Sequence, residues 1–374
     1  MPILQHLAQR SRRVQVLLLA LMLVCSLGMA AADSAPELPA GRFHNHDKTR
    51  VTHPLGTVLR WQWQRWREQL PPPALSPPPS TQPDLARLHA YARQRDTDHP
   101  SLSWIGHASV LIQAGGISVL TDPIFSERAS PVQFAGPRRL QPPGIALADL
   151  PDIDVVLISH NHPDHLDQAS VLALQQQADA RGRTTLFLVP LGVQALLNSW
   201  GIRQVRELDW WHSFTLGSTE FHFTPTQHWS ARGLCDENDT LWGGWAVFGP
   251  TLHWYFAGDS GYSGDFIRTR EHFARRNGKD GFDLALLPIG AYAPRWFMKG
   301  QHMDPTEAVQ VHLDLPARRS IGIHWGTFAL GDEAPDQPPR QLQQARAQAG
   351  LTAQQFDTIA IGATIDLASQ RGSE

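Results

Sequence analysis

Cysteine is nearly absent: the 374 residues contain two, Cys25 and Cys235. Cys25 falls in an N-terminal apolar stretch that reads as a removable leader. The mature chain then keeps one thiol, which excludes an intrachain disulfide. Cys235 also stands outside the clusters of histidine and aspartate, so any metal would sit among nitrogen and oxygen donors. A basic surplus is missing too. Lys and Arg number 32 against 35 Asp and Glu, a formal net charge of −3, and no global positive field favours nucleic acid as a partner. The N-terminal apolar stretch is also short for a full membrane span. Residues 14–27 are nearly all apolar, but a helical span needs about 20 residues. Arg10, Arg12 and Arg13 precede that stretch, and Ala30-Ala31-Ala32 follows it. This is the pattern of a secretory signal peptide over 1–32, cleaved ahead of Asp33; an uncleaved anchor is the alternative. The expected location is periplasmic or secreted, with membrane association. At 42% hydrophobic, a chain of this length buries a substantial core without disulfides.

Histidine is plentiful, at 18 residues. Six consecutive positions, His160-Asn161-His162-Pro163-Asp164-His165, hold three imidazoles and a carboxylate. They follow an apolar, β-branched run at 155–159 that reads as a buried strand. The cluster therefore stands where a strand ends and a loop begins. Neutral imidazole and carboxylate suit Zn²⁺ and similar divalent ions. Asn161 and Pro163 break regular structure and let the ligands converge. A polar turn that happens to be rich in histidine is the bland alternative, but H-x-H-x-D-H is far more demanding than most short motifs. Three further candidates each end an apolar run: His228 after 221–227, Asp259 after 254–258, and His324 after 320–323.

Along the chain, residues 33–54 look irregular. Residues 55–70 read as a helix on which Leu59, Trp63, Trp66 and Leu70 share a face. Such a Trp- and Arg-bearing face suits either a membrane interface or packing on the catalytic part. Prolines make 71–83 a stiff connector. A helix is expected at 84–95. Strands at 109–114 and 117–121 form a hairpin about Gly115-Gly116. A long loop covers 126–143. Helices are expected at 166–180, 193–200, 305–313 and 339–349. Strands are expected at 184–189, 284–289, 320–323 and 358–361, with antiparallel strands within 214–223 and 244–258. The resulting organisation is a leader at 1–32, an N-terminal extension at 33–98 and a catalytic domain at 99–374. Periodicity alone gives α/β or α+β.

The H-x-H-x-D-H motif resembles that of the metallo-β-lactamase superfamily. Gln227-His228-Trp229, Leu241-Trp242-Gly243-Gly244-Trp245, Gly258-Asp259-Ser260-Gly261, Gln301-His302 and His324-Trp325-Gly326-Thr327-Phe328 resemble the N-acyl-phosphatidylethanolamine-hydrolysing phospholipase D family over roughly residues 100–335. The resemblance implies a four-layer αβ/βα sandwich, two mixed sheets flanked by helices. It implies two Zn²⁺ per chain: His160, His162 and His228 hold one, Asp164, His165 and His324 the other, and Asp259 bridges them. By the same resemblance Asp164, Asp259 and His302 are catalytic, while Gln301 and His302 lie at the substrate. The implied reaction is attack of a metal-bridging hydroxide on phosphorus, giving phosphatidic acid and N-acylethanolamine. The expected partners are a phospholipid and a bilayer surface, with a homodimer admitted.

Several residues carry two readings. Asp122 orients a ligand histidine or caps its turn, with the first preferred. His107 reads as a packing histidine rather than a ligand. Arg232 and Arg295 meet a phosphate or stay solvated. Ser260 has no paired base and is no triad serine. Three other functions remain in view: a dizinc lactonase or esterase, a nuclease, and a non-enzymatic zinc-dependent lipid-binding envelope protein. The motifs beyond residue 290 favour phosphorus, and the absent basic surplus disfavours the nuclease.

Overall fold

A computed structural model describes residues 41–72, 74, 76–233, 235–277 and 281–367. The expected leader at 1–32 and the start of the extension lie outside the described residues. The described residues from Gly41 onward form one compact unit, which takes in residues of both the expected extension and the expected catalytic domain.

Two seven-stranded sheets build that unit. The first runs in the order β14-β1-β2-β3-β4-β5-β6 and the second β13-β12-β11-β10-β9-β8-β7. In the first, β1 (Ser101–Gly106), β2 (Ser109–Ala114) and β3 (Ile117–Thr121) are antiparallel. β4 (Val155–Leu157), β5 (Leu186–Pro190) and β6 (Val205–Leu208) continue it in parallel. The second repeats the scheme. β7 (Ser213–Leu216), β8 (Thr219–Thr224), β9 (Gly244–Phe248) and β10 (His253–Phe256) are antiparallel. β11 (Leu284–Pro288), β12 (Arg319–Ile323) and β13 (Phe356–Asp357) are parallel additions. Both sheets are mixed, as expected.

The period-two alternation of the strands decides which side chains meet. Val110, Ile112, Val119, Val155 and Leu157 pack toward Phe221, Phe223, Trp245 and Val247 of the other sheet. Their neighbours Leu111, Leu120, Val156 and Ile158 face the opposite way, against Leu88, Val171, Leu174 and Leu197 of the covering helices. Burying each such side chain contributes about 1.5–3 kcal/mol, so a one-residue register slip would forfeit a whole row at once. The indole N–H of Trp245, on β9, donates to the carbonyl of Ile158 at 3.0 Å. It thereby ties the second sheet to the residue two places before His160.

Several expectations need correction. The stretch 358–361 is not a strand. The chain instead forms β13, and then β14 (Thr364–Asp366) in the other sheet; residues between them cross from one sheet to the other. The helix Asp265–Asn277 and strands β1 and β6 were not expected. The helix expected at 55–70 spans Leu55–Glu68, and its buried tryptophan is Trp61, stacked on Phe297 at 4.5 Å. Trp63 and Trp66 are 54% and 76% exposed. Tryptophans at 61, 63 and 66 leave the inward side undecided by spacing alone.

Candidate metal centre

The candidate ligands all follow the C-terminal ends of strands. β4 delivers His160, His162, Asp164 and His165; β8 delivers His228; β10 delivers Asp259; β12 delivers His324. Gly258, at φ +60°, sets the approach of the β10 end. A Cβ there would lie 2.5 Å from the Ser159 Cβ, so only glycine lets Asp259 come up against the metal loop.

These side chains converge. His160 Nε2 lies 2.8 Å from His162 Nδ1, which lies 3.3 Å from His228 Nε2. His165 Nε2 lies 3.2 Å from His324 Nε2 and 3.3 Å from Asp164 Oδ2, and Asp164 Oδ2 lies 3.6 Å from His324 Nε2. Asp259 stands between the two groups. Its Oδ2 is 3.1 Å from His165 Nε2 and 3.8 Å from His228 Nε2, and its Oδ1 is 3.2 Å from His324 Nε2. Metal bonds of about 2.0–2.1 Å put the donors of one tetrahedral site about 3.3 Å apart. The observed edges fit that spacing. Cys235 is exposed, and the donors that gather are imidazole and carboxylate.

Surrounding groups decide which ring nitrogen faces inward. Asp122 accepts from His165 Nδ1–H at 2.7 Å and from the Ser159 N–H at 2.7 Å. The Ser159 hydroxyl also donates to Asp122, so His160 Nδ1–H donates to Ser159 Oγ at 2.9 Å. His228 Nδ1–H donates to the Gln301 carbonyl at 2.9 Å. The outer nitrogens are thus engaged, and Nε2 of His160, His165 and His228 points inward. Asn45 clamps His228 from the N-terminal segment: its Oδ1 accepts from the His228 N–H and its Nδ2 donates to the His228 carbonyl, both at 3.0 Å. Arg232 donates to the carbonyls of Asn161 at 2.9 Å and Leu166 at 2.6 Å, bracing the loop. Arg295 donates to the His302 carbonyl at 2.8 Å and to Glu307 at 2.6 Å. Both guanidinium groups brace backbone here.

The charges follow from burial and proximity. Burial pulls His165 down, but Asp259 and Asp164 outweigh it and hold the ring well above its usual range. The same contest puts His324 at about 9. Burial, reinforced by neighbouring imidazoles, holds His160 well below the usual value. Burial likewise depresses His228, although Asp259 opposes it, and brings His162 to about 4. Asp164 and Asp259 are driven well below the carboxylate range because His165 and its neighbours outweigh burial. Without an ion, two protonated histidines therefore neutralise two carboxylates. Divalent cations would replace those protons.

The other predicted residues fall nearby. His302 Nδ1 has no hydrogen-bond partner and lies 3.8 Å from Asp259 Oδ2. Gln301, expected at the substrate, is buried, and its Oε1 accepts from Trp229 Nε1 at 2.6 Å. Ser260 Oγ donates to the Gly261 carbonyl at 2.6 Å and accepts from the Gln227 N–H, a packing role. Sequence reasoning missed His107 and Asn45. His107 belongs with Asp164, His165 and His324 in one donor cluster. The only local signal for it is its place in a Gly106-His107-Ala108 turn.

The beta-lactamase superfamily domain matches residues 118–325. The chain is 43% identical over 245 residues to the Caenorhabditis elegans protein named N-acyl-phosphatidylethanolamine-hydrolyzing phospholipase D 1, a match covering 61% of this chain and 64% of that protein. An uncharacterised Mycobacterium tuberculosis protein is 38% identical over 319 residues, covering 84% of this chain and 80% of its own length. Among solved structures, a possible metal-dependent hydrolase from Veillonella parvula superposes with a TM-score of 0.56 at 15% identity, over 72% of this chain and 99% of that one; at that identity the likeness speaks for the fold alone. Matched over more than half its length, with two mixed sheets and ligand-bearing strand ends, the chain belongs to the beta-lactamase superfamily.

Proposed function

We propose that the chain is a metal-dependent hydrolase of phospholipids, cleaving N-acyl-phosphatidylethanolamine or a close relative to phosphatidic acid and N-acylethanolamine. The observation that carries this reading is the pair of donor sets, His160/His162/His228 and Asp164/His165/His324, sharing Asp259. The donors suit two Zn²⁺ ions, which when bound lower the pKa of water toward neutrality and offset charge on phosphodiester oxygens. Identity to the nematode phospholipase D directs the choice to phosphorus.

The chain's own groups supply the rest. Asp122, Ser159 and the Gln301 carbonyl hold three imidazoles in the tautomer that turns Nε2 inward. Burial, aided by His324, holds His302 at about 4 against the pull of Asp259. At neutral pH its ring is therefore uncharged and serves as a hydrogen-bond donor to a substrate oxygen rather than as a proton source.

Delivery from a bilayer fits the exposed aromatics. Trp63 and Trp66 project from the Leu55–Glu68 helix, and Arg67 lies 4.7 Å over the Trp63 ring. Trp296, 47% exposed, carries Arg60 at 5.4 Å over its ring and lies six residues before His302. Tryptophan beside arginine suits the headgroup level of a bilayer. The leader sequence supports a periplasmic or secreted location. The test is incubation of metal-stripped and zinc-reloaded protein with a lipid extract containing the N-acylated phospholipid, read by mass spectrometry. Metal-dependent release of phosphatidic acid and N-acylethanolamine is expected. Free fatty acid and a lysolipid instead would overturn the reading in favour of an esterase.

A further inference from the structure

We propose that His107 is a positioning residue for the Asp164/His165/His324 donor set, fixing two of its three members at once; the inference rests on that set being a metal site. His107 lies between β1 and β2, with a side chain 2% exposed. Its Nε2–H donates to Asp164 Oδ2 at 2.9 Å. That oxygen is the one facing His165 Nε2 at 3.3 Å and His324 Nε2 at 3.6 Å. Asp164 is also the member most in need of a hold: its side chain is 15% exposed, against 0% for His165 and His324.

The backbone of His107 governs the third donor. Its carbonyl accepts from the His324 N–H at 3.0 Å and from Trp104 Nε1 at 3.0 Å, while its own N–H donates to Thr327 Oγ1 at 2.7 Å. The rings of His107 and His324 lie 4.0 Å apart between centroids. His107 and His324 both adopt the left-handed region, at φ +54° and +62°. Non-glycine residues hold that conformation only where their surroundings over-determine it. At 2.9 Å from a carboxylate oxygen, Nε2 stands at donor–acceptor distance, so His107 backs the carboxylate while the carboxylate faces the ion.

Two polar substitutions separate this role from mere packing. Glutamine places its amide N–H near the position of Nε2, whereas asparagine stops short of Asp164. Asparagine tolerates positive φ well, so backbone strain cannot account for a loss in His107→Asn. The full chain is stripped with chelator and titrated with Zn²⁺ and Co²⁺. Wild type is expected to take up two ions. His107→Asn should hold one as wild type does and the other about 10–100-fold more weakly, as for lost ligand-orienting partners. His107→Gln should stay within about threefold for both and keep the wild-type d–d spectrum of the Co²⁺ form. Unchanged binding in His107→Asn overturns the role. So does His107→Gln behaving no better than His107→Asn. An altered Co²⁺ spectrum in His107→Gln would make His107 a ligand. Wild type taking up fewer than two ions would overturn the metal reading itself, and the role with it.

Discussion

Replacing Asp122 by Asn separates metal affinity from folding. Asp122 is fully buried and accepts from His165 Nδ1–H at 2.7 Å and from the Ser159 N–H at 2.7 Å, as well as from the Ser159 hydroxyl. Asparagine keeps the shape and one acceptor, and it tolerates the φ of +33° at this position. Its other terminus is an N–H₂ that meets a donor whichever way the amide turns. The lost bond to His165 is charge-assisted and is worth about 1.5–3 kcal/mol. At about 1.4 kcal/mol per factor of ten, metal affinity should fall about 10–100-fold at the site containing His165. The fold should suffer much less. Burial pushes the Asp122 carboxyl up despite the pull of His165, so removing its charge relieves a desolvation cost. Competition with a chromophoric chelator gives the affinities, and calorimetry of the stripped protein gives Tm. The expected pattern is one weakened ion with the stripped Tm within about 4 °C of wild type. Both ions held within twofold of wild type would refute the positioning argument. A much larger fall in Tm, with affinity preserved, would show that Asp122 serves only the fold.

Proton linkage gives a second prediction, with opposite signs for stability and binding. In the stripped protein His324, at about 9, and His165, held well above its usual range by Asp259 and Asp164 against burial, are raised; the stability they contribute is full below the ordinary value near 6.5 and is lost as pH rises through the folded value. His162 and His302, at about 4, are depressed by burial, so their contribution is lost as pH falls from about 6.5 toward 4. Stripped protein should therefore melt highest near neutrality, while Zn²⁺ affinity climbs through pH 9 as His324 gives up its proton; an acid-favoured affinity would contradict the assignment. A third prediction concerns the surface. Replacing Trp63 and Trp66 by Ser should weaken liposome binding and raise apparent KM on bilayers, leaving a soluble short-chain analogue unaffected and Tm unchanged because both rings are exposed. Equal losses on both substrates would contradict a membrane role.

Much of the centre was legible because its chemistry is local. His160 to His165 crowd six positions at a strand end, and His228, Asp259 and His324 each terminate an apolar run that the structure makes a strand or its extension. What was not legible depends on partners remote in sequence. His107 meets Asp164 across 57 positions, and Asn45 meets His228 across 183; a lone histidine in a turn looks the same whether it packs or positions. Asn45 lies in a stretch that looks irregular from the sequence, and it is irregular, but its amide completes a backbone pair. The Trp face failed for a different reason. Three tryptophans in six positions cover more than one side of a helix, and partners remote in sequence, Phe297 against the ring and Asp332 accepting from its Nε1–H at 2.9 Å, select Trp61 for burial. The stretch 358–361 has the composition of a strand, yet Ile361 is spent on a single bridge to Ser80.

In the proposed reaction water attacks phosphorus, and turnover of N-acyl-phosphatidylethanolamine in ¹⁸O-labelled water reports which atom receives the solvent oxygen. One label in the phosphate of phosphatidic acid, with none in the N-acylethanolamine, is the predicted result. Label in the carboxylate of a released fatty acid, with the phosphate unlabelled, would contradict it.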